Sequence, residues 1–176
     1  MNTVVSTPAS AAPSLHHLGL RLLLGFAALL ETYYGLSVVT DLFIAGYKTS
    51  GLGDAIARAY LAVHPVLALA ALLFAFIGRV RDATIVLGTL VLATWLNELP
   101  SVAQHGLALG SSYTAMQTIP QIIAYPLMAA CGIAYAARHQ QPLIAAALVS
   151  MPTLFNALFH VLSIVVFAIG VMMYGF

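Results

Sequence analysis

Four ionisable residues lie inside long apolar stretches of the sequence: Glu31, His64, Glu98 and His160. A charged side chain is costly in the hydrocarbon of a membrane, so an ionisable residue within a membrane helix is a functional candidate by default. A carboxylate can hold a proton, and an imidazole can ligate a metal or carry a proton. These residue types therefore predict proton, metal or redox chemistry.

The two glutamates are the candidate catalytic residues. Glu31 lies near the middle of an apolar run, where a carboxylate must be either protonated or paired. Gly35 follows one turn later on the same helical face and would let another helix approach closely. We predict that Glu31 and Glu98 handle protons or contact a quinone. The structural alternative is a neutral glutamic acid that is hydrogen-bonded to a neighbouring helix.

The two histidines are the candidate cofactor ligands. His64 and His160 lie on different predicted helices and form the best pair for a b-type haem. Together with Glu98 they are also candidate ligands of a transition metal such as iron or zinc. Relay of protons is the third possibility, and a hydrogen-bonded core histidine is the commonest fate overall. The sequence contains neither His-Glu-x-x-His nor Glu-x-x-His, so no metal motif decides between them.

The position of His64 before Pro65 leaves its environment open. A proline is favoured at the first position of a helix, which would place His64 at the membrane interface. A helix that continues through Pro65 would instead turn His64 toward the bundle, with Tyr60 one turn away. Near the outer end of the next predicted helix, His105 lies seven residues beyond Glu98 and is expected on the same face.

The composition indicates that these residues lie in a membrane. The chain has 176 residues, of which 62% are hydrophobic and 6% are charged, whereas soluble domains carry about 25% charged residues. The net charge of +1 provides no basic patch for nucleic acid. The single cysteine, Cys131, excludes an intrachain disulfide and a cysteine zinc site.

The apolar runs predict an all-α bundle of about five transmembrane helices, since about 20 apolar residues cross a bilayer. Residues 1–14 are expected to be a disordered tail before an uncleaved first helix, and residues 15–176 a single domain. Four spans is the main alternative. The last run is too long for one upright span, so we expect Pro152 to divide or kink it. The predicted spans cover residues 18–44, 55–78, 83–104, 118–137 and 143–176.

The distribution of basic residues predicts a cytoplasmic N-terminus. With that orientation the inner segments hold four arginines, and the outer loops hold Lys48 and Arg58, in agreement with the positive-inside rule. The four inner residues are Arg21, Arg79, Arg81 and Arg138.

The segment Leu20-Arg21-Leu22-Leu23-Leu24-Gly25 resembles the start of the DoxX-like small membrane proteins. The resemblance covers one stretch of the first helix, and it implies a short helical bundle that is associated in some members with quinone-linked oxidoreductases. No functional residue is transferred from it.

Three functions are consistent with these features. The first is a redox-linked subunit of a bacterial inner membrane that binds haem or a metal through His64 and His160. The second is a proton-coupled carrier of a small substrate, in which Glu31 and Glu98 titrate. The third is an accessory subunit that packs against other membrane subunits or against copies of itself. The scarcity of extramembrane sequence favours the first and third over a self-sufficient enzyme.

Overall fold

A computed structural model of the protein describes residues 15–44, 51–107 and 112–175. The predicted disordered tail and Lys48 lie outside these residues. The described chain forms helices joined by short turns. The helices are α1 (Leu15–Ile44), α2 (Leu52–Phe76), α3 (Val80–His105), α4 (Ser112–Ile119), a π-helical turn (Pro120–Ala124), α5 (Tyr125–Ala137) and α6 (Pro142–Tyr174).

Five helical segments are long and apolar enough to cross a membrane, and α4, the π-helical turn and α5 together supply the fourth. Helices suit this environment because each backbone N–H and C=O is satisfied within its own segment, away from water. The predictions of an all-α bundle and of five spans are confirmed. The protein is an integral membrane protein.

The five spans form a closed ring in which each helix packs on its neighbours. The order around the ring is α1, α2, α3, α5 and α6, and α6 returns to α1. Contacts of α3 with α1 and α6 fill the centre. Many of the buried positions are alanines, which let helix backbones approach closely where lipid provides no hydrophobic drive. They include Ala27, Ala28, Ala68, Ala71, Ala83, Ala129 and Ala146.

Three helices continue through a proline. Pro65 lies inside α2, Pro100 inside α3 and Pro152 inside α6. Of the two alternatives predicted for Pro152, division of the last run is wrong, because residues 142–174 form one helix, and a kink at Pro152 stays a prediction. Packing of α6 against α5 and α1 supports the helix where proline removes a backbone bond.

One end of the bundle carries the arginines that flank the turns. Arg21 of α1 donates from Nε to the carbonyl of Ala75 at 3.2 Å and from Nη2 to the carbonyl of Phe76. Both carbonyls lie in the last turn of α2, and that of Ala75 also accepts from the N–H of Gly78 at 3.2 Å. Arg21 therefore adds side-chain donors at the C-terminal end of α2. Gly78 follows with a φ of 82°, which favours glycine. We call this end of the bundle the arginine end.

Candidate functional site

Glu31 is bonded to side chains from two other helices. Its Oε2 lies 3.1 Å from Nε2 of His64 on α2. Its Oε1 accepts a hydrogen bond of 2.5 Å from Oγ1 of Thr153 on α6. Glu31 therefore joins α1, α2 and α6 in the interior of the bundle, and its cost in lipid is offset by two donors.

His64 faces the bundle, because α2 begins well before Pro65. Its exposed fraction is 5%, and its ring meets that of Tyr60 edge-on at 5.1 Å between centroids. This decides between the two environments that the sequence left open for His64. The alternative of an interfacial His64 at the start of a helix is wrong.

Gly35 makes the contact of α1 with His64 possible. A Cβ atom at Gly35 would lie 2.5 Å from His64 Nδ1 and 3.2 Å from Cα of Pro65. No side chain fits there, so the α1 backbone passes directly over the imidazole. The prediction that Gly35 permits close helix approach is confirmed.

Both ring nitrogens of His64 are enclosed by protein. Nε2 faces the Glu31 carboxylate, while Nδ1 is buried against Gly35 with no hydrogen-bond partner among the described residues. A haem iron or a metal ion must reach a ring nitrogen directly. It would have to displace either the carboxylate or the α1 backbone, so this arrangement does not favour His64 as a ligand.

A small polar cavity lies beside Glu31 and contains about 60 Å³. This volume holds a few water molecules, at roughly 10–15 Å³ each by this measure. Glu98 lines it together with Glu31, so the structure brings the two predicted carboxylates to one space. The remaining lining residues are Val91, Thr94, Trp95, Gln121, Tyr125, Pro152, Thr153 and Asn156.

A second, similarly small space of about 50 Å³ lies between α1 and α2, where Tyr34, Tyr60 and His64 are among its walls. His64 contacts Glu31, which lines the polar cavity. The hydroxyl of Tyr60 also lies 3.2 Å from the hydroxyl of Thr94, which lines the polar cavity. These two contacts link the walls of the two spaces.

His160 and His105 lie outside this arrangement. The side chain of His160 is exposed on the surface of α6, its Nδ1 is 3.0 Å from the backbone oxygen of Asn156, and its ring contacts Tyr34. His105 is exposed, with Nδ1 bonded to the backbone oxygen of Ser101. Neither lines the polar cavity. The structure joins Glu31 to Glu98 through this cavity and to His64 by direct contact, without the other two histidines.

Two threonines of the site, Thr94 and Thr153, are not among the residues predicted from the sequence. Thr153 lies three residues before Asn156, and Thr94 lies four residues before Glu98, so each shares a helical face with a polar residue. That spacing is the sequence feature that points to them. Within the described part of the chain, no group of three or more His, Cys, Asp or Glu side chains is arranged to hold a metal ion.

Comparison of the chain with protein-family models, with curated proteins and with solved structures gives no match. The function must therefore be argued from the site.

Proposed function

We propose that this protein is a proton-coupled carrier of a small cation, with Glu31 and Glu98 as the residues that bind either the proton or the cation. The observation that carries the proposal is the polar cavity beside Glu31, which places two carboxylates in one small space within the membrane. The substrate class follows from the cavity's charge, its ligand atoms and its size.

The charge of the cavity favours a mobile cationic partner. Among the described residues, its lining contains two carboxylates and no lysine, arginine or histidine, and His64 contacts Glu31 from outside the cavity. Two negative charges in a membrane interior are costly unless a proton or a cation neutralises them. A proton and a cation that compete for the same carboxylates are thereby coupled, since binding of one releases the other.

The ligand atoms and the volume favour a small, hard cation. Oxygen atoms are available from Glu31, Glu98, Thr94, Gln121 and Asn156. Oxygen ligands suit hard cations better than soft metals. A space of about 60 Å³ admits an ion with a few waters but excludes larger organic substrates. A sodium, potassium or ammonium ion fits both criteria.

His64 is the proposed proton partner of Glu31. An imidazole in contact with a carboxylate exchanges protons with it, and His64 is among the walls of the second space beside Tyr60. Its Nδ1 is buried against Gly35, so a proton leaves through that nitrogen only when α1 moves away. Thr153 holds the other carboxylate oxygen and fixes the direction in which Glu31 points.

The redox hypothesis stays a prediction. The DoxX-like opening supports it, but the enclosed ring nitrogens of His64 and the outward position of His160 favour proton chemistry over ligation of haem or a metal. A quinone partner for Glu31 or Glu98 likewise stays a prediction.

Cation-driven proton movement in proteoliposomes tests the carrier. The purified protein is reconstituted with a trapped pH-sensitive dye, and sodium, potassium or ammonium chloride is added outside. We expect at least one of these cations to drive proton efflux, and Glu31→Gln and Glu98→Gln to abolish it. Asp54→Asn, which removes a carboxylate outside the polar cavity, serves as the matched control. Efflux that persists in Glu31→Gln, or that no cation elicits, contradicts the proposal.

We further propose a bacterial inner membrane with the N-terminus in the cytoplasm. Arg21, Arg79, Arg81 and Arg138 flank helix ends at the arginine end, and Arg58 lies near the start of α2. This distribution supports the positive-inside orientation.

Association through α6 is a second proposal. Most side chains of its C-terminal half are exposed, and among them is the polar His160. A polar side chain on a lipid-facing surface is costly, so a second copy of this chain or another membrane subunit would cover it. Crosslinking of Val161→Cys in a Cys131→Ser background tests self-association. Absence of a crosslinked dimer in native membranes contradicts it and leaves a different subunit as the partner.

A further inference from the structure

A larger cavity lies at the arginine end of the bundle, and Glu31 is not among its lining residues. It contains about 470 Å³. Its walls come from the start of α1, the turn between α2 and α3, and the turn between α5 and α6. It is therefore formed where three segments of the bundle meet the membrane interface, and the proposed carrier function does not use it.

The polar wall of this cavity is basic. Its ionisable lining residues include Arg79, Arg81, His16, His17 and His139, and Asp82 is the only acid among the described lining residues. Asp82 already accepts a hydrogen bond of 2.5 Å from Nε of Arg79. With the histidines neutral, two arginines and one aspartate leave a charge of +1, and the charge rises when a histidine is protonated.

Arg81 is the cation best placed for a ligand. It is exposed, and Nη2 makes one long hydrogen bond of 3.4 Å to the carbonyl of Ala137. A guanidinium has five N–H donors, so most of them remain for an anion. The turn after Ala137 adds His139 to the wall of the cavity. The φ of His139 is 55°, which lies in the left-handed region.

The cavity also has an apolar wall. Leu20, Val80, Ala136, Pro142 and Ala145 line it. A ligand that fills the cavity therefore has an anionic part and an apolar or neutral part. Phosphate groups suit arginine because they accept two parallel hydrogen bonds from one guanidinium.

We propose that this cavity binds an anionic, phosphate-bearing ligand through Arg81, supported by Arg79 and His139. Two sources share this chemistry: the headgroup of an anionic phospholipid and a soluble phosphate compound. Basic pockets between transmembrane helices are common binding sites for anionic lipid headgroups. The apolar wall would then contact the glycerol backbone and the first acyl carbons.

Native mass spectrometry in mild detergent separates the two sources. The full chain is titrated with dioleoyl phosphatidylglycerol and with dioleoyl phosphatidylcholine, whose acyl chains are identical. Inorganic phosphate and glycerol 3-phosphate are tested as competitors and by thermal shift. We expect phosphatidylglycerol to bind in preference to phosphatidylcholine, or the soluble phosphates to stabilise the protein and displace the lipid.

The variants place the ligand in this cavity. Arg81→Gln should weaken binding roughly fivefold to tenfold, whereas Arg81→Lys should retain most of it. Arg138→Gln is the matched control because it removes the same charge at the same end from a residue that does not line the cavity. If Arg81→Gln does not elute as a folded species, His139→Ala replaces it. Equal binding of the two lipids without a phosphate effect, or equal losses in Arg81→Gln and Arg138→Gln, overturns the proposal.

Discussion

Glu31 illustrates how a carboxylate is tolerated in the interior of a membrane protein. One oxygen contacts His64 and the other accepts the hydroxyl hydrogen of Thr153, so each has a partner from a different helix. A buried acceptor that loses its donor pays the desolvation cost without compensation. The bonds of Glu31 therefore contribute to stability, and in the proposed carrier they also orient the carboxylate.

Thr153→Val tests the second of these bonds. The change keeps the shape of the side chain and removes the donor to Glu31, so we expect a loss of about 1–3 kcal/mol in the free energy of unfolding. Unfolding by a denaturing detergent, followed by circular dichroism, measures it. Thr89→Val is the control, because the exposed Thr89 bonds only to its own helix at Ile85. Equal stability losses in both variants would show that Thr153 contributes nothing through Glu31.

Part of the site could be predicted from the sequence because burying an ionisable side chain in lipid costs free energy. That cost singled out Glu31, His64 and Glu98, and the structure brings them together. It did not single out Thr153, because threonines in membrane helices ordinarily bond to the carbonyl four residues earlier, as Thr84 does with Val80. His160 is also an ionisable residue within an apolar run, but its side chain lies on the exposed surface of α6. The depth of a residue along a helix does not fix the direction in which its side chain points.

At the scale of helices, the closest approach in the site is that of α1 to α2 at Gly35. Gly35→Ala should displace His64 from Glu31, because the added methyl group would overlap the imidazole and the Pro65 backbone. We expect a loss of about 1–3 kcal/mol, measured by detergent unfolding. Gly19→Ala has no atom within 4 Å of the added methyl group and should be neutral or stabilising by up to about 1 kcal/mol. Equal effects at both glycines would contradict the close approach.

The π-helical turn accepts a hydrogen bond from a side chain of α3. In an α-helix the carbonyl of Ile122 would accept from residue 126, but Pro126 has no N–H. The indole nitrogen of Trp95 supplies a donor at 3.1 Å instead. This interaction fixes the wall of the polar cavity, because Trp95 and the adjacent Gln121 both line it.

A double-mutant cycle tests this replacement. Trp95→Phe should cost about 1 kcal/mol in the free energy of unfolding, since it removes the side-chain donor to the Ile122 carbonyl. Pro126→Ala restores a backbone N–H, so the cost of Trp95→Phe should be smaller in that background. The same cost in both backgrounds would show that Trp95 acts through packing alone.

The hydrophobic runs predicted that the helices exist, but not where α2 begins. The sequence allowed a start at Pro65, whereas α2 begins at Leu52, thirteen residues earlier by number. Proline permits either outcome, and packing of α2 on α1 and α3 decides in favour of the longer helix. Packing likewise keeps α6 continuous through Pro152.

At the scale of the whole molecule, composition alone predicted a membrane bundle, while the order of helices around the ring depends on tertiary contacts. The return of α6 to α1 brings Thr153 to Glu31 across 122 positions of sequence. Neither the charge pattern nor the hydrophobic periodicity of the sequence predicts the contact between Thr153 and Glu31. The positive-inside rule, in contrast, gives an orientation that a labelling experiment can test.

Single cysteines test the orientation in a Cys131→Ser background. Three spans separate Arg58 from Arg138, so cysteines at these positions should lie on opposite sides of the membrane. We expect a membrane-impermeant maleimide to label Arg58→Cys in intact spheroplasts, and Arg138→Cys only after permeabilisation. The reverse pattern would invert the orientation, and labelling from one side would contradict the number of spans.

Proton release on cation addition to the purified protein, in weakly buffered detergent solution, tests directly whether the two glutamates exchange a proton for a cation. If Glu31 and Glu98 bind either a proton or a cation, then sodium, potassium or ammonium should release protons in proportion to the protein. Glu31→Gln should lose this release, while Asp54→Asn should keep it. No release with any of the three cations, or undiminished release from Glu31→Gln, would contradict the account.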